Sequence, residues 1–205
     1  MAATIPDTEL RLLQAIRLKG RLSKDVAATI IGSGSNDLLE RLVAADMITV
    51  ASFGAKLTPA GRGRLNELLE LERRTVDQES LSRLYEEFGA PNQALKEIVT
   101  AWQVRADGSP NDHSDPDYDA DVIARLLQAG SDAAPLVERI AEVVPRLDTY
   151  PTRLREALQR VGAGEHKWFA NPMIDSYHQV WFELHEELIG VLGLVREDEA
   201  KSGRA

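Results

Sequence analysis

The sequence predicts a mainly α-helical protein, in which an N-terminal winged helix-turn-helix with a small β-hairpin is followed by an all-helical domain. Most of the chain repeats apolar residues at helical spacing. The segment Met47–Arg62 instead indicates two short strands around a glycine turn and then a helix start. Charge divides the chain too: residues 1–76 have 11 Lys and Arg against 9 Asp and Glu, whereas residues 77–205 have 13 against 24. We therefore expect a winged-helix domain at 1–76 and an acidic helical domain at 77–205.

Three short helices are predicted first. The first ends at Gly20, and Ser23 is a good N-cap for a second helix, Lys24–Ile30. A glycine-rich turn at residues 32–35 leads into a third helix that runs to Ala45. Apolar spacing predicts which side chains of the second and third helices face inward: Val26, Ala27, Ile30, Leu38, Leu39, Leu42 and Val43.

A β-hairpin and a fourth helix complete the predicted N-terminal domain. Gly54 fits the tight turn of the hairpin, and Thr58 followed by Pro59 is typical of a helix N-cap and first helical position. Three helices and a hairpin in this order make the winged variant of the helix-turn-helix. The run Leu57–Arg62 also resembles the junction between wing and helix in bacterial winged-helix regulators. A fold alone does not imply its best-known use.

The remaining chain predicts helices joined by loops. A break or kink is expected at Gly89–Pro91, inside the first long helix, and the charged tail from Arg196 is expected to fray. Residues 104–117 and 162–172 predict loops. The predicted helices are Glu79–Trp102, Tyr118–Gln128, Ala134–Leu147, Pro151–Val161 and Ile174–Leu192.

Composition excludes several functional classes. The chain has no cysteine, which removes disulfides, thiolate catalysis and cysteine zinc sites. No apolar run approaches the roughly 20 residues that span a bilayer, and Met1–Asp7 lacks the parts of a signal peptide. We therefore expect a cytoplasmic protein without a membrane partner. Glycine loops for phosphates, nucleophile elbows and dinucleotide fingerprints are missing as well, so neither a cofactor nor a catalytic residue is predicted.

DNA binding would require a basic recognition helix. The predicted third helix exposes Asn36, Asp37, Glu40 and Arg41, one cation against two anions, and the wing adds only Lys56. This face favours a winged helix used for packing or protein contact, with DNA binding as the alternative. In that alternative the contacting residues would be Lys19, Arg21, Asn36, Arg41 and Lys56.

The segment Pro110–Asp119 is dense in side-chain oxygens. It lacks the central glycine and closing glutamate of an EF-hand, so a calcium site is disfavoured. Asp115 before Pro116 predicts a helix N-cap with proline at the first position instead. Asp112 and His113 remain candidates for a ligand or partner surface, because a loop histidine beside acids can anchor a neighbouring element or titrate near neutral pH.

The last long helix carries two histidines on one face. Asp175, His178, Phe182 and His185 fall at i, i+3, i+7 and i+10. Two histidines seven positions apart are separated by roughly 10 Å of helix rise, too far for one metal ion, so no metal site is predicted. A partly buried hydrogen-bonded network is the favoured interpretation, with a ligand or partner surface and acid–base work as alternatives. The candidate residues on this helix are Asp175, Tyr177, His178, Trp181 and His185.

Four segments resemble the winged-helix and helical part of actinobacterial proteins linked to phosphoenolpyruvate synthase and pyruvate phosphate dikinase-like phosphotransferases. They are Leu10–Arg21, Leu57–Arg62, Pro110–Asp115 and Asp175–Leu188. Such enzymes also have an ATP-grasp domain, a mobile phosphohistidine domain and a barrel that binds phosphoenolpyruvate, none of which is in this chain. The resemblance therefore implies a non-catalytic accessory or regulatory subunit, with a dikinase-like subunit as its protein partner.

Two other functions stay open. One is a transcriptional regulator whose helical domain senses a ligand or mediates dimerisation, so a homo-oligomer is also possible. The other is a small enzyme built around His113, His178 and His185. Salt-sensitive DNA binding would distinguish the regulator.

Overall fold

The computed structural model describes residues 7–32 and 34–201, which are mainly helical with one two-stranded antiparallel sheet, as the sequence predicts. The chain divides into two compact units, Met1–Val76 and Asp77–Ala205, called here the N-terminal unit and the helical unit. Three predicted features fall partly or wholly outside the described residues: the start of the chain at 1–6, Ser33 in the glycine-rich turn, and the tail at 202–205. No helix in the described segments combines the length and apolarity needed to cross a bilayer.

Leucines from three helices form the core of the N-terminal unit. Leu13, Leu39 and Leu68 are each at most 5% exposed. The predictions for Val26 and Val43 are wrong, since these side chains are 37% and 45% exposed. Val26 precedes the buried Ala27, and Val43 follows the buried Leu42. One position along an α-helix is a rotation of about 100°, so each valine points away from the buried face. The elements are α1 (Asp7–Lys19), α2 (Lys24–Ile31), α3 (Ser35–Ala44), β1 (Ile48–Ala51), β2 (Gly54–Leu57) and α4 (Pro59–Arg73).

The start of α4 is a close backbone crossing. Thr58 caps the helix as predicted: its Oγ1 accepts from the Gly61 amide at 3.0 Å and donates to the Asp46 carbonyl at 2.6 Å. A Cβ built on Gly61 would lie 1.9 Å from the Met47 carbonyl oxygen. The run Leu57–Arg62 therefore needs its glycine because α4 begins directly against the chain that enters β1.

A third extended segment pairs with the hairpin. Leu22 and Ala55 exchange both backbone hydrogen bonds, at 3.0 and 2.7 Å. Gly54 has φ +110°, and a Cβ there would lie 2.5 Å from the Leu22 carbonyl oxygen. The sequence gives no sign of this pairing, since a single extended residue between two helices leaves no periodic pattern.

The helical unit has fewer breaks than the sequence predicts. Its first long helix continues through Gly89 and Pro91, so a break there is wrong, while a kink, the other expectation at this position, stays a prediction. The two helices predicted on either side of Gly130 are one, because Leu126 and Ile140 lie on a single continuous buried stripe. The elements are α5 (Gln78–Gln103), α6 (Pro116–Val143), a short 3-10 helix (Pro145–Leu147), α7 (Tyr150–Gly162), α8 (Lys167–Ala170), α9 (Tyr177–Leu192) and α10 (Arg196–Lys201).

The tail is ordered as far as it is described. It forms α10, in which Glu199 is 4% exposed. The expectation of fraying is therefore wrong for Arg196–Lys201. The many charges of this segment indicated a solvated, fraying end. One of its acids, Glu199, is instead a buried hydrogen-bond acceptor.

Candidate functional site

A buried polar network fixes the loop between α5 and α6. The Asn111 side-chain amide donates to the Trp102 carbonyl at 3.1 Å and to Asp119 Oδ1 at 2.9 Å. The other carboxylate oxygen of Asp119 lies 2.9 Å from His113 Nδ1. Asn111 and Asp119 are both less than 10% exposed. Because a carboxylate only accepts, His113 Nδ1 carries the proton in this bond, and Nε2 is the nitrogen left for another molecule.

His113 has an unusual backbone conformation. Its φ is +58°, in the left-handed region that a non-glycine residue rarely adopts. The His113 amide donates to the Asn111 side-chain oxygen at 3.3 Å, which helps to hold the chain there. Residues kept in sparsely populated conformations concentrate at functional sites. The imidazole thus has its orientation set by both backbone and side-chain contacts, while 43% of the side chain stays exposed.

His113 lies at the edge of a wide cleft of about 750 Å³. Trp102 forms its floor, with ring centroids 4.3 Å from His113 and 4.3 Å from Phe169. His166 and Lys167, at the start of α8, are exposed on the other side. Three side chains that can carry positive charge therefore surround one cleft in an otherwise acidic unit. Such a site suits a carboxylate or phosphate group.

Only part of this site is predictable from the sequence. His113 is predicted as a candidate residue, whereas Asp119, Trp102, His166 and Lys167 are not. No local pattern could reveal them, because His166 is 53 positions from His113 in the chain.

Asp112 and Asp115 lie beside the network without joining it. Asp112 Oδ1 accepts from the amide and hydroxyl of Ser114, a local turn that lowers the pKa of this carboxyl. Asp115 caps α6 by accepting from the Tyr118 amide at 3.1 Å, and Pro116 is the first helical residue, as predicted. In the described ranges no group of three His, Asp or Glu is arranged to hold a metal ion.

The aromatic face of α9 packs on α5. His185 Nε2 lies 3.1 Å from the Tyr85 hydroxyl, which in turn donates to Glu199 at 2.8 Å. Trp181 stacks on Phe88 with ring centroids 4.6 Å apart. The Trp181 indole also donates to the Asn92 side-chain oxygen at 3.0 Å. His178 is half-buried, and its burial lowers its pKa. His178 and His185 both line a cavity of about 170 Å³.

Buried arginines occupy the other side of α9. Arg146 pairs with Glu187 at 2.8 Å, and the two side chains are 4% and 5% exposed. Arg153 bridges Glu183 at 2.6 Å and Asp175 at 2.9 Å. Asp175, predicted on the histidine face, therefore belongs to an arginine network instead. Glu183 and Glu187 were missed because a Glu-rich helix run ordinarily indicates a solvated face.

The candidate DNA contacts are on the surface of the N-terminal unit. Arg21, Asn36, Arg41 and Lys56 are exposed, and Lys19 is partly exposed. Asp37 and Glu40 are exposed on α3 as well, so this helix presents the mixed charges expected from the sequence.

Replacing Asp119 with asparagine is expected to change the imidazole tautomer of His113. The carboxylate keeps the proton on Nδ1, whereas an amide can donate to Nδ1 and leave the proton on Nε2. Nitrogen-15 spectra of histidine-labelled protein would distinguish the two forms. Asp117→Asn is the control, since Asp117 is an exposed acid two residues earlier in the same helix. An unchanged tautomer in Asp119→Asn would contradict the geometry.

His185 is expected to make stability depend on pH. Burial, with smaller effects of Arg196 and Lys96, lowers its pKa to about 4 from an ordinary 6.5. Between these values the unfolded chain binds more protons, so stability rises with pH and is lost as pH falls from 6.5 to about 4. Unfolding measured against a His185→Gln variant isolates this contribution. A constant difference between the two proteins over that window would contradict it.

Comparison of the chain with models of known families, with curated proteins and with solved structures gives no significant match. The function is therefore argued from the sites themselves. Of the three clusters, the His113 cleft is the one that combines a fixed, half-exposed polar side chain with room for another molecule.

Proposed function

We propose that this protein is a non-catalytic accessory or regulatory subunit that binds an anionic group in the His113 cleft. The observation that carries the proposal is the His113–Asp119 hydrogen bond, which holds one imidazole nitrogen inward and leaves the other for a partner. Lys167 adds positive charge to the same cleft, and the ring of His166 adds another hydrogen-bonding group. Nε2 donates to an anion when the imidazole carries a proton on both nitrogens, and the bond to Asp119 has already fixed the orientation of the ring, so little ordering is needed on binding.

The proposed partner is a phosphoenolpyruvate synthase or dikinase-like phosphotransferase. This part rests on the resemblance of Pro110–Asp115 and Asp175–Leu188 to segments associated with such enzymes. The chemistry of the cleft is compatible, since phosphoenolpyruvate carries both a phosphate and a carboxylate. Pro110–Asp115 also contains His113, so one of the resembling segments coincides with the cleft.

Co-purification from the native cell tests the partner, and titration with phosphoenolpyruvate and with inorganic phosphate tests the cleft. The wild type is expected to retain a dikinase-like subunit and to bind one of the two anions. Lys167→Glu is expected to weaken anion binding at least tenfold. The control is Arg125→Glu, an exposed charge reversal on α6, outside the residues that line the cleft. Recovery of the protein alone would contradict the partner, and equal effects of the two reversals would contradict the cleft.

We propose a winged-helix arrangement for the N-terminal unit, with DNA binding as a second candidate function. The order α1, Leu22 pairing, α2, α3, hairpin and α4 supports this arrangement. The exposed Phe53 at the hairpin tip and the exposed Arg21, Arg41 and Lys56 are compatible with contact to a duplex. Retention on DNA should fall steeply with salt and with charge reversal at these three cations. Binding that does not respond to salt would exclude this function.

A further inference from the structure

A second cavity of the helical unit lies between α6 and α7. Its volume is about 270 Å³, close to the lower end of the roughly 300–1,000 Å³ of small-molecule sites. Its walls are mostly apolar: Ala134, Val137, Leu154 and Leu158 come from the two helices. None of its lining residues is shared with the His113 cleft. We call it the Tyr177 groove.

Tyr177 brings a polar group to this apolar groove. The residue as a whole is 3% exposed; within residues 7–32 and 34–201 its hydroxyl makes no hydrogen bond, and the hydroxyl oxygen itself still reaches solvent. A Cβ built on Gly130 would lie 3.1 Å from the Tyr177 hydroxyl oxygen, so the hydroxyl end of the side chain reaches the groove wall at Gly130. A ligand oxygen in the groove can accept the proton of this hydroxyl, between apolar walls that strengthen the hydrogen bond.

Gly130 is what leaves the groove open at this point. Its missing side chain would otherwise meet both terminal methyl groups of Leu158 at 2.9 Å. The position lies inside α6, where glycine is otherwise unfavourable compared with alanine. Helix α6 therefore has glycine, a poor helix former, at a position where the methyl group of alanine would fill the space beside the Tyr177 hydroxyl.

The charges at the groove mouth restrict the ligand. Glu138 and Arg155 both line it, both are exposed, and neither has an ion pair in the described part of the chain. One charge of each sign gives a mouth with no net preference for an anion or a cation. The other residues that line the groove are uncharged, and burial raises the pKa of Tyr177, which keeps its hydroxyl a proton donor.

We infer that the Tyr177 groove binds a small neutral molecule with an apolar body and one hydrogen-bond-accepting oxygen, of the ketone or alcohol class. The apolar body fills the space between α6 and α7. The oxygen accepts the hydrogen bond of Tyr177. This site is separate from the proposed function and stands whether or not the His113 cleft binds an anion.

Two probes of matched shape test the inference on the whole chain. Acetophenone has the accepting oxygen, and isopropenylbenzene replaces it with a methylene group. Binding is followed by the NMR shifts of the Leu158 methyl groups and the Gly130 amide. We expect saturable binding of acetophenone, preferred about tenfold over isopropenylbenzene, because one buried hydrogen bond separates them.

Substitutions at Tyr177 and Gly130 test which groups are responsible for binding the two probes. Tyr177→Phe should abolish the preference and leave both probes binding with similar affinity. Gly130→Ala should prevent binding of both, whereas Gly89→Ala, at a position with nothing within 4 Å, should change neither. Should Gly130→Ala fail to fold, the probe preference in wild type and Tyr177→Phe still decides the question. No saturable binding, equal affinities in the wild type, or a preference that survives Tyr177→Phe would overturn the inference.

Discussion

Replacing Gly61 with alanine is expected to destabilise the N-terminal unit by at least about 3 kcal/mol, the upper end of the usual cost of overpacking. The added Cβ would lie 1.9 Å from the Met47 carbonyl oxygen and 2.9 Å from its carbon. Both are backbone atoms, so no rotamer change relieves the clash. The Thr58 cap, which accepts from the Gly61 amide, would be displaced with it. Native-state hydrogen exchange of the whole chain measures the effect, because it reports on α1 and α4 separately from the helical unit.

Gly63 provides a matched control two residues further along α4. A Cβ at Gly63 would meet nothing within 4 Å. Alanine is the better helix former, so Gly63→Ala should stabilise the same helix by about 0.5–1 kcal/mol. The two substitutions are chemically identical and are expected to have opposite signs. Equal effects would show that α4 does not cross the Met47 backbone as closely as described.

Replacing Arg146 with methionine is expected to cost the helical unit about 3–5 kcal/mol, because it removes the ion-pair partner of the buried Glu187 carboxylate. Each side chain of the pair is at most 5% exposed, so solvent cannot take over the role of the lost guanidinium. Denaturant unfolding followed by tryptophan fluorescence measures the loss, since all three tryptophans, Trp102, Trp168 and Trp181, belong to this unit.

Removing both members of the pair should destabilise the helical unit less than removing Arg146 alone. In Arg146→Met/Glu187→Leu the buried charge is gone, and such apolar replacements are often neutral or stabilising. Arg83→Met breaks an exposed pair with Glu79 in α5 and should cost less than about 1 kcal/mol. A double variant no more stable than Arg146→Met would contradict the view that the unpaired charge causes the loss.

Local sequence patterns predicted the parts of the fold that depend on neighbouring residues. Thr58–Pro59 and Asp115–Pro116 each cap a helix as predicted, because a cap depends on a few consecutive residues. The prediction of a helix break at Gly89–Pro91 was wrong because packing between distant segments overrides local propensity. Packing of Phe88 and Leu95 on one buried face holds α5 together through a proline that propensity alone would treat as an end.

The candidate site was predictable only where one residue type was unusual in its surroundings. His113 among acids stood out, but its partner Asp119 looked like an ordinary helix-start acid. The arginine network shows the same limit: Glu187 and Arg146 are 41 positions apart, and nothing near either residue indicates the other. Pairing over such distances is decided by how helices pack, which residue periodicity does not encode.

The hydrogen bond from Tyr85 to Glu199 closes the helical unit across 114 positions. Tyr85 lies in the first helix of the unit and Glu199 in its last described one. On a ribosome, where synthesis is vectorial, α5 therefore leaves the exit tunnel long before its acceptor exists. The aromatic residues of α5, including Phe88, stay exposed until α9 and α10 have been synthesised and can pack on them. This unit should complete its folding only after α10 has emerged, and until then it presents the surface that chaperones bind.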